Sequence, residues 1–306
     1  MNPYQIVTDR ILKQLDAGVV PWRKTWTSGL PKSLTTGREY RGINVLMLGT
    51  TGFRSRYWVT YRQAKTRGGH VRKGERSTPV IYWKWRTPEE IEQRRRATGK
   101  PDVAPCFPFI SAVFNLDQVD GLERPEDDVP DLHHEPLEVA ESVFEVMPDK
   151  PQIDHSTCHQ PAYRPALDRV LLPHLSQFED GHAYFQTLWH ELAHSTGHPR
   201  RLNRFGASVT DRFEAYSFEE LVAEFAAAFL AAFTGIRTAD SEARNAAYIA
   251  GWAKAIRNDP RLILSAASAA QRAADYIRGK LPADGLNPLD SPLDEQPAPK
   301  SVALAS

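Results

Sequence analysis

Residues 190–194 read His-Glu-Leu-Ala-His, which places two imidazoles four residues apart. On an α-helix, residues at this spacing lie one turn apart on one face, so His190 and His194 can bind one metal ion together. Glu191, which follows the first histidine, is then placed to accept a proton from a water molecule. The pattern predicts a metal site with a general base, which is the chemistry of metal-dependent hydrolysis.

The surrounding residues predict the helix that this chemistry requires. Apolar residues recur at helical spacing ahead of Gly197, a residue that favours a helix end. The members of this stripe are Phe185, Leu188, Trp189 and Leu192. We therefore predict a helix over Phe185–Gly197, and this context favours a metal site over a chance occurrence of the histidine pattern.

A second predicted helix, from near Ser217 to about Thr234, offers carboxylates for a third ligand. Glu220 and Glu224 lie one turn apart on it, and both are chemically suitable ligands. Many single-zinc proteases place a ligand on the following helix and an orienting carboxylate one turn later, which favours Glu220 as ligand and Glu224 as its orienting neighbour. Alternatively, Ser217 to Glu220 forms a capping box that occupies Glu220 with the backbone.

Three further features concern the surroundings of the predicted site. His198 directly follows Gly197, whereas the long metzincin motif has its third histidine three residues after the glycine, so we predict no ligand at His198. Arg169–Leu172 predicts a short strand, which would hold a substrate backbone if it lies at a sheet edge and would not if it lies in the core. Tyr216 is a candidate hydrogen-bond donor to an oxyanion.

Charge divides the chain into two unlike halves, although its formal net charge is zero. Residues 1–100 contain 21 of the 38 lysines and arginines but only 7 of the 38 aspartates and glutamates. This asymmetry is typical of a basic module for nucleic acid joined to an acidic module with another role. Aromatic residues are interleaved with the bases, a combination that suits single strands because every nucleotide has a phosphate and a base that can stack.

The residues expected to contact single-stranded DNA are basic, aromatic or polar side chains of this first module. They are Trp22, Arg23, Lys24, Trp26, Arg41, Asn44, Trp58, Tyr61 and Lys73. Trp22 and Trp26 flank a basic pair after Pro21, so they are predicted to be the most exposed rings. About half of the module's rings are expected to be simply buried. Duplex binding is the weaker interpretation, since the sequence has no recognition-helix or zinc-finger pattern.

The predicted elements indicate an α+β protein of two domains. Residues 1–118 form an α+β module, 119–135 an acidic linker, and 136–281 a mostly helical domain with a small sheet. Residues 282–306 are rich in Pro, Asp and Ala and are expected to be disordered. The remaining predicted helices are Tyr4–Leu15, Pro136–Val146, Ser241–Arg257 and Arg261–Arg278, with Pro88–Lys100 a charged helix or excursion. The predicted strands of the first module are Tyr57–Tyr61, Pro79–Trp85 and Phe107–Phe114.

Composition limits where this protein is expected to work. Cys106 and Cys158 are too few for a disulfide framework or a paired-cysteine metal site, which fits a reducing cytoplasm. The first residues lack a signal-peptide pattern, and the longest apolar run, Phe225–Phe233, is too short to span a bilayer. We therefore expect a cytoplasmic protein without a membrane partner.

With both halves considered, the chain resembles the ArdC-type antirestriction proteins of conjugative plasmids, also found as TraC-like fusions to primases. The resemblance rests on Pro21–Trp26, Tyr40–Asn44, Val71–Glu75, Val113–Gln118, Trp189–His198, Arg201–Arg204 and Glu219–Glu224. It implies a single-stranded-DNA-binding domain, a zincin-like metallopeptidase domain and a role in protecting incoming plasmid DNA from host restriction. It also implies His190, His194 and a third ligand from the Glu220/Glu224 pair for Zn²⁺ or another divalent metal such as Mn²⁺, with Glu191 as the base.

Three functions follow from this combination. The first is an antirestriction protein with an active zinc-dependent peptidase domain, and the second is a DNA-shielding protein that keeps the metal only for its fold. The third is a DNA-stimulated protease that cleaves host proteins on DNA. Glu191 distinguishes the second from the others, because it is needed for hydrolysis but makes no bond to the metal.

Overall fold

The computed structural model describes residues 2–23, 29–128, 136–155, 160–205, 212–237 and 246–280. It confirms a two-domain protein of mixed α/β structure with small sheets. The helices are α1 (Pro3–Asp16), α2 (Ile43–Gly49), α3 (Tyr61–Thr66), α4 (Pro88–Thr98), α5 (Pro136–Glu145), α6 (Gly181–Ser195), α7 (Arg212–Thr234), α8 (Ala246–Asn258) and α9 (Leu262–Ile277). The strands are β1 (Lys32–Ser33), β2 (Tyr57–Thr60), β3 (His70–Val71), β4 (Thr78–Trp85), β5 (Cys106–Asn115), β6 (Val119–Asp120), β7 (Gln152–Asp154), β8 (Ala162–Arg164) and β9 (Arg169–Leu171). Within these ranges, no helix has both the length and the apolar character needed to cross a bilayer.

A mixed four-stranded sheet of order β1-β2-β5-β4 forms the centre of the first domain. β4 pairs antiparallel with β5 over the whole length of β4, and α4 joins the two strands, while β2 runs antiparallel to β5 and parallel to β1. β3 and β6 form a separate antiparallel pair. The three strands predicted for this module are therefore confirmed, with ends displaced by one residue.

The acidic segment after β5 is folded where the structure describes it, which departs from the expectation of a linker. β6 pairs with β3, and Asp128 is 5% exposed. Its Oδ1 accepts hydrogen bonds from the Ser55 hydroxyl at 2.6 Å and from the backbone N–H of Arg56 at 3.0 Å. Residues 119–128 are thus held on the basic domain by their own acids, and residues 129–135 lie outside the described part of the chain.

Helix α7 lies at the centre of the second domain, where it packs against α6 and α9. Its residues from Leu221 to Ala232 are buried on every side. The prediction that this helix begins near Ser217 is wrong, because the chain is already helical from Arg212. Ser217 is therefore inside the helix, and the capping-box role considered for Glu220 is excluded.

The small sheet of the second domain has the order β7-β9-β8. β9 corresponds to the predicted strand Arg169–Leu172, but it lies between a parallel partner, β7, and an antiparallel partner, β8. Since its backbone is paired on both sides, the interpretation of this strand as a substrate-binding edge is wrong. Among the described strands, the edge that contacts α6 is β8.

The two domains share a continuous apolar core. α1 packs against α8, and α2 packs against α9. The buried side chains of α1 (Val7, Ile11 and Leu15) belong to the same cluster as those of α7 and α9. The domains are therefore packed against each other through their interiors, which allows a side chain of one to reach a site in the other.

Trp22 is part of this shared core. The short 3₁₀ helix Pro21–Arg23 packs on α7, and the Trp22 side chain is 1% exposed. Its ring centroid lies 4.9 Å from that of Phe225 and 5.3 Å from that of Trp252, both in edge-to-face geometry. The prediction that Trp22 is an exposed ring is wrong, because the apolar surfaces of α7 and α8 cover it.

Candidate metal centre

Helices α6 and α7 bring three potential ligand side chains together. His190 and His194 lie four residues apart on α6, with their Nε2 atoms 3.2 Å apart. The carboxylate of Glu220 on α7 lies 3.8 Å from His190 Nε2 and 3.5 Å from His194 Nε2. One ligand atom from each of the three lies within 4.8 Å of the others. Of the two glutamates considered from the sequence, the geometry therefore places Glu220 beside both imidazole nitrogens.

The donor set fits a divalent metal ion. Tetrahedral coordination with bonds of about 2.0–2.1 Å to nitrogen holds two ligand atoms about 3.3 Å apart, close to the 3.2 Å between the two Nε2 atoms. The side chains of His190, His194 and Glu220 are 13%, 16% and 18% exposed, so the site is sheltered but open to solvent. Three protein ligands leave one position for water or substrate, which is the arrangement of catalytic zinc sites.

The second ring nitrogen of each histidine faces another carboxylate. His190 Nδ1 lies 3.8 Å from Glu224 Oε1, and His194 Nδ1 lies 3.6 Å from Glu219 Oε1. Carboxylates in this position orient ligand imidazoles and raise their basicity. Glu224 stands where the sequence-based interpretation put the orienting group, whereas Glu219 was missed. The sequence signal for Glu219 was its position next to Glu220, because two adjacent carboxylates on one helix can lie near different nitrogens of a histidine on the neighbouring helix.

An arginine holds each of these two carboxylates. Arg204 donates to Glu219 Oε2 at 3.1 Å and Oε1 at 2.6 Å, and to the carbonyl oxygen of Ala193 at 2.8 Å, so it fastens the end of α6 to α7. Arg23 donates to Glu224 Oε2 at 3.2 Å and Oε1 at 2.8 Å. An arginine that contacts both oxygens of a carboxylate holds the carboxylate in one orientation and stabilises its negative charge. Neither arginine was predicted to contact the metal site.

The same carboxylates control the protonation of His194. Burial would lower the pKa of His194, but hydrogen bonds and Coulomb attraction from Glu219 and Glu220 raise it to about 10. Burial would in turn raise the pKa of both glutamates, yet His194, helped by Arg204 at Glu219, brings each below its usual range. A metal ion that binds here would therefore compete with a proton for His194.

Glu191 faces the edge strand beside the metal helix. Its side chain is 7% exposed, and its Oε2 accepts a hydrogen bond of 2.7 Å from the backbone N–H of Tyr163 in β8. The Tyr163 hydroxyl donates to Asp168 at 2.8 Å, which anchors this strand in turn. The candidate base is thus fastened to β8, an edge strand of the small sheet, by a buried hydrogen bond.

From the sequence, we considered and rejected His198 as a ligand, and we considered Tyr216 as an oxyanion donor. His198 lies beyond the end of α6, and its Nδ1 accepts a hydrogen bond from the backbone N–H of Arg200 at 3.2 Å. It is not among the described residues that share the ligand cluster. The side chain of Tyr216 lies outside the described part of the structure, so its role as an oxyanion donor stays a prediction.

Several side chains expected on the DNA-binding surface are inside the protein. Trp58, in strand β2, is 2% exposed and belongs to a buried apolar cluster of the first domain. Asn44 is 4% exposed, and its amide both donates to the carbonyl of Ile81 and accepts from the N–H of Ile81, each at 2.7 Å. With Trp22 also buried, these three side chains are unable to contact nucleic acid in this fold, because large rings and paired amides of a small domain fill its core.

The predicted basic contacts are divided between the domain boundary and the surface. Arg23 pairs with Glu224, and Arg41 pairs with Asp275 of α9 while about a third of its side chain stays exposed. Lys24 and Trp26 lie outside the described residues. Lys73 is exposed after β3, so it is available to a ligand.

Among the predicted aromatic contacts that the structure describes, Tyr61 is exposed. It is 60% exposed at the start of α3, with its ring edge-on to Phe114 at 6.4 Å. Exposed bases follow it along the chain, on α3, at the end of α3 and after β3. The α3 surface consists of Tyr61, Arg62, Lys65, Arg67 and Lys73. It combines positive charge with one ring that can stack on a base.

Family models and related sequences match both halves of the chain. A model of the N-terminal domain of anti-restriction factor ArdC matches residues 1–114, and a model of zincin-like metallopeptidases matches residues 140–269. A DNA primase TraC of Escherichia coli is 36% identical over 300 residues, which is 90% of this chain but 27% of the primase. The chain therefore spans about a quarter of that primase. The protein y4eC of Sinorhizobium fredii is 32% identical, with 90% of this chain and 92% of y4eC aligned.

Solved structures show the same architecture. The Mn(II)-bound crystal structure of the antirestriction protein ArdC from plasmid R388 matches with a TM-score of 0.73 and 37% identity, covering 92% of this chain and 98% of that one. Its metal-free structure matches with a TM-score of 0.71 and 36% identity over the same shares. Because this agreement extends over nearly the whole of both chains and includes both domains, the protein belongs to the ArdC family of antirestriction proteins.

Proposed function

We propose that this protein binds single-stranded DNA in the cytoplasm and protects incoming conjugative DNA from restriction, and that its second domain is a metal-dependent peptidase. The observation that carries the peptidase proposal is that potential ligand atoms of His190, His194 and Glu220 lie close together. Glu191 directly follows His190 in the sequence. The DNA-binding proposal is supported by the basic charge of residues 1–100 and by the open ring on the α3 surface.

We infer a task for each residue in peptide hydrolysis from its position in the site. The metal ion, when bound, would polarise the scissile carbonyl and lower the pKa of a water molecule. Glu191 takes the proton from the attacking water and later gives it to the leaving amine. The Tyr163 N–H fixes the Glu191 carboxylate. The substrate that we propose is a host protein on DNA.

Zn²⁺ is the metal that we propose for this site. Two imidazoles and one carboxylate form an established zinc set with an open position. Mn²⁺ is the alternative, since a carboxylate ligand also suits it and the related R388 protein is described as Mn(II)-bound.

Metal binding should stabilise the fold measurably. A ligand present at 100 times its Kd stabilises the native state by about 2.7 kcal/mol, so chelation of Zn²⁺ or Mn²⁺ should lower the Tm and re-addition should restore it. Calorimetry of the full chain checks this. His194→Ala should lose most of the response, whereas His198→Ala should keep it. A wild-type Tm that is indifferent to both metals would contradict the metal centre.

Removal of the exposed ring on the α3 surface should weaken binding to single-stranded DNA. If Tyr61 stacks on a base, Tyr61→Ala should cost about 1–3 kcal/mol of binding free energy, and Tyr61→Phe should restore it because the ring is kept. Fluorescence anisotropy with a labelled oligonucleotide measures both. Leu175→Ala, at an apolar side chain of the acidic half that is 52% exposed, serves as the matched control. Equal affinities for all of these proteins would exclude stacking by Tyr61.

A further inference from the structure

Arg23 and Glu224 form a buried ion pair across the two domains. The residues are 201 positions apart in the chain, and the guanidinium contacts both carboxylate oxygens. The side chains are 13% and 7% exposed. A buried carboxylate is costly unless a cation and hydrogen bonds compensate it, so the position of Glu224 depends on an arginine from the other domain.

One of the two Glu224 oxygens that Arg23 holds also faces a proposed metal ligand. Glu224 Oε1 accepts from the Arg23 guanidinium at 2.8 Å and lies 3.8 Å from His190 Nδ1. This repeats the arrangement at the second histidine, where Arg204 holds Glu219 Oε1 at 2.6 Å and that oxygen lies 3.6 Å from His194 Nδ1. Each imidazole is therefore backed by a carboxylate, and each carboxylate is fixed by an arginine.

Arg23 itself packs on the shared core. Its guanidinium carbon lies 5.8 Å from the centroid of the Trp252 ring, and the preceding Trp22 packs between Trp252 and Phe225. Movement of this short helix relative to α7 would displace the guanidinium from Glu224. The geometry of the first domain is thus transmitted to a side chain next to a metal ligand.

From these contacts, we infer that Arg23 is a positioning residue of the metal centre, supplied by the first domain and acting through Glu224 on His190. The inference rests on the proposed metal centre. It means that the zincin-like domain completes its metal site only when it is packed against the DNA-binding domain. Orienting groups of this kind commonly change metal affinity by about 10- to 100-fold.

The test is the affinity of the full-length protein for Mn²⁺, measured by titration calorimetry, together with the absorption spectrum of the Co²⁺ form. Arg23→Met should weaken Mn²⁺ binding about tenfold and alter the Co²⁺ spectrum, because the His190 ring is no longer held in one orientation. Arg23→Lys, which keeps the charge but loses the two-point contact, should recover part of the affinity.

Arg278→Met is a matched control. Arg278 is also a buried arginine at the domain boundary, 7% exposed, with Glu39 at 3.7 Å and the Phe233 ring at 3.6 Å. Its loss should lower the Tm without changing the affinity for Mn²⁺. If Arg23→Met and Arg278→Met reduce the affinity equally, the contribution is structural and the inference is overturned. Wild-type affinity in Arg23→Met also overturns it.

A second pair of variants covers the case in which Arg23→Met does not fold. Glu224→Gln removes the charge that Arg23 holds, and it should show the same loss of affinity. The double variant Arg23→Lys/Glu224→Gln should lose no more than Glu224→Gln alone, because both changes act on one contact. Additive losses would overturn the inference. If the wild-type protein itself binds neither Mn²⁺ nor Co²⁺, it is the proposed metal centre that fails.

Discussion

Glu191→Gln is expected to slow peptide hydrolysis about 10²- to 10⁴-fold, the usual contribution of a general base, while metal binding stays unchanged. Glutamine keeps the size of the side chain and an oxygen that can accept from the Tyr163 N–H, now bonded to Glu191 at 2.7 Å. Alanine would leave that N–H buried without this partner, and any loss of activity could then come from a disturbed β8. The glutamine variant therefore isolates the proton transfer.

Hydrolysis should be measured on an unfolded protein such as casein, with and without single-stranded DNA. Glu141→Gln makes the same chemical change at an exposed position of α5 and should cleave as fast as the wild type. If Glu191→Gln retained full activity with normal metal content, Glu191 would be excluded as the base. A rate that rises with DNA only in proteins that retain Glu191 would favour the DNA-stimulated protease.

Plasmid transfer into a restricting host separates hydrolysis from shielding. If Glu191→Gln protects the incoming DNA as well as the wild type, the protein acts by coating DNA and its metal serves the fold. If protection falls to the level of an empty control while DNA and metal binding persist, hydrolysis is the protective step. This experiment distinguishes hydrolysis from shielding even when the natural substrate is unknown.

The metal helix could be predicted from the sequence because its information is local. Two histidines at i and i+4 must share a face of any helix that contains them, and the apolar stripe around them predicts that helix. The contact between Arg23 and Glu224 could not be predicted in this way. It joins residues 201 positions apart, and no period in the sequence records which distant side chains the shared core brings together.

Burial of the aromatic residues marks a second limit of the sequence. Trp22 stands beside two bases and was predicted to be open, whereas the fold covers it with Phe225 and Trp252. Tyr61 also stands beside a base, and it is 60% exposed. In both cases a base follows the ring in the sequence, and only the tertiary packing decides which ring is covered. The strand β9 is a similar case, since a central and an edge strand can share one short apolar pattern.

The largest loss of stability is expected from Arg201→Met, by about 3–5 kcal/mol, as for other buried ion pairs that lose one partner. Arg201 is fully buried and donates to Asp168 Oδ1 at 2.7 Å and Oδ2 at 3.0 Å. It also donates to the carbonyl oxygens of Asp149 at 2.8 Å and of Ser195, at the end of α6, at 3.1 Å. Its removal would leave a sheltered carboxylate and two carbonyls without this donor.

Urea unfolding of the metal-loaded protein measures this loss, and Arg200→Met provides the control. Arg200 is 65% exposed and lies 3.6 Å from the same carboxylate, so its loss should cost no more than about 1 kcal/mol. Similar losses in both variants would contradict a special role for the buried pair.

The pH dependence of the stability gives an independent check. Burial would raise the pKa of Asp168, but Arg201 and the Tyr163 hydroxyl hold it below its usual range. A carboxylate whose pKa is lower in the folded state adds stability above its unfolded pKa of about 3.9 and loses it as the pH falls through the folded value. The difference between wild type and Arg201→Met should therefore be largest near neutral pH and shrink below about pH 4.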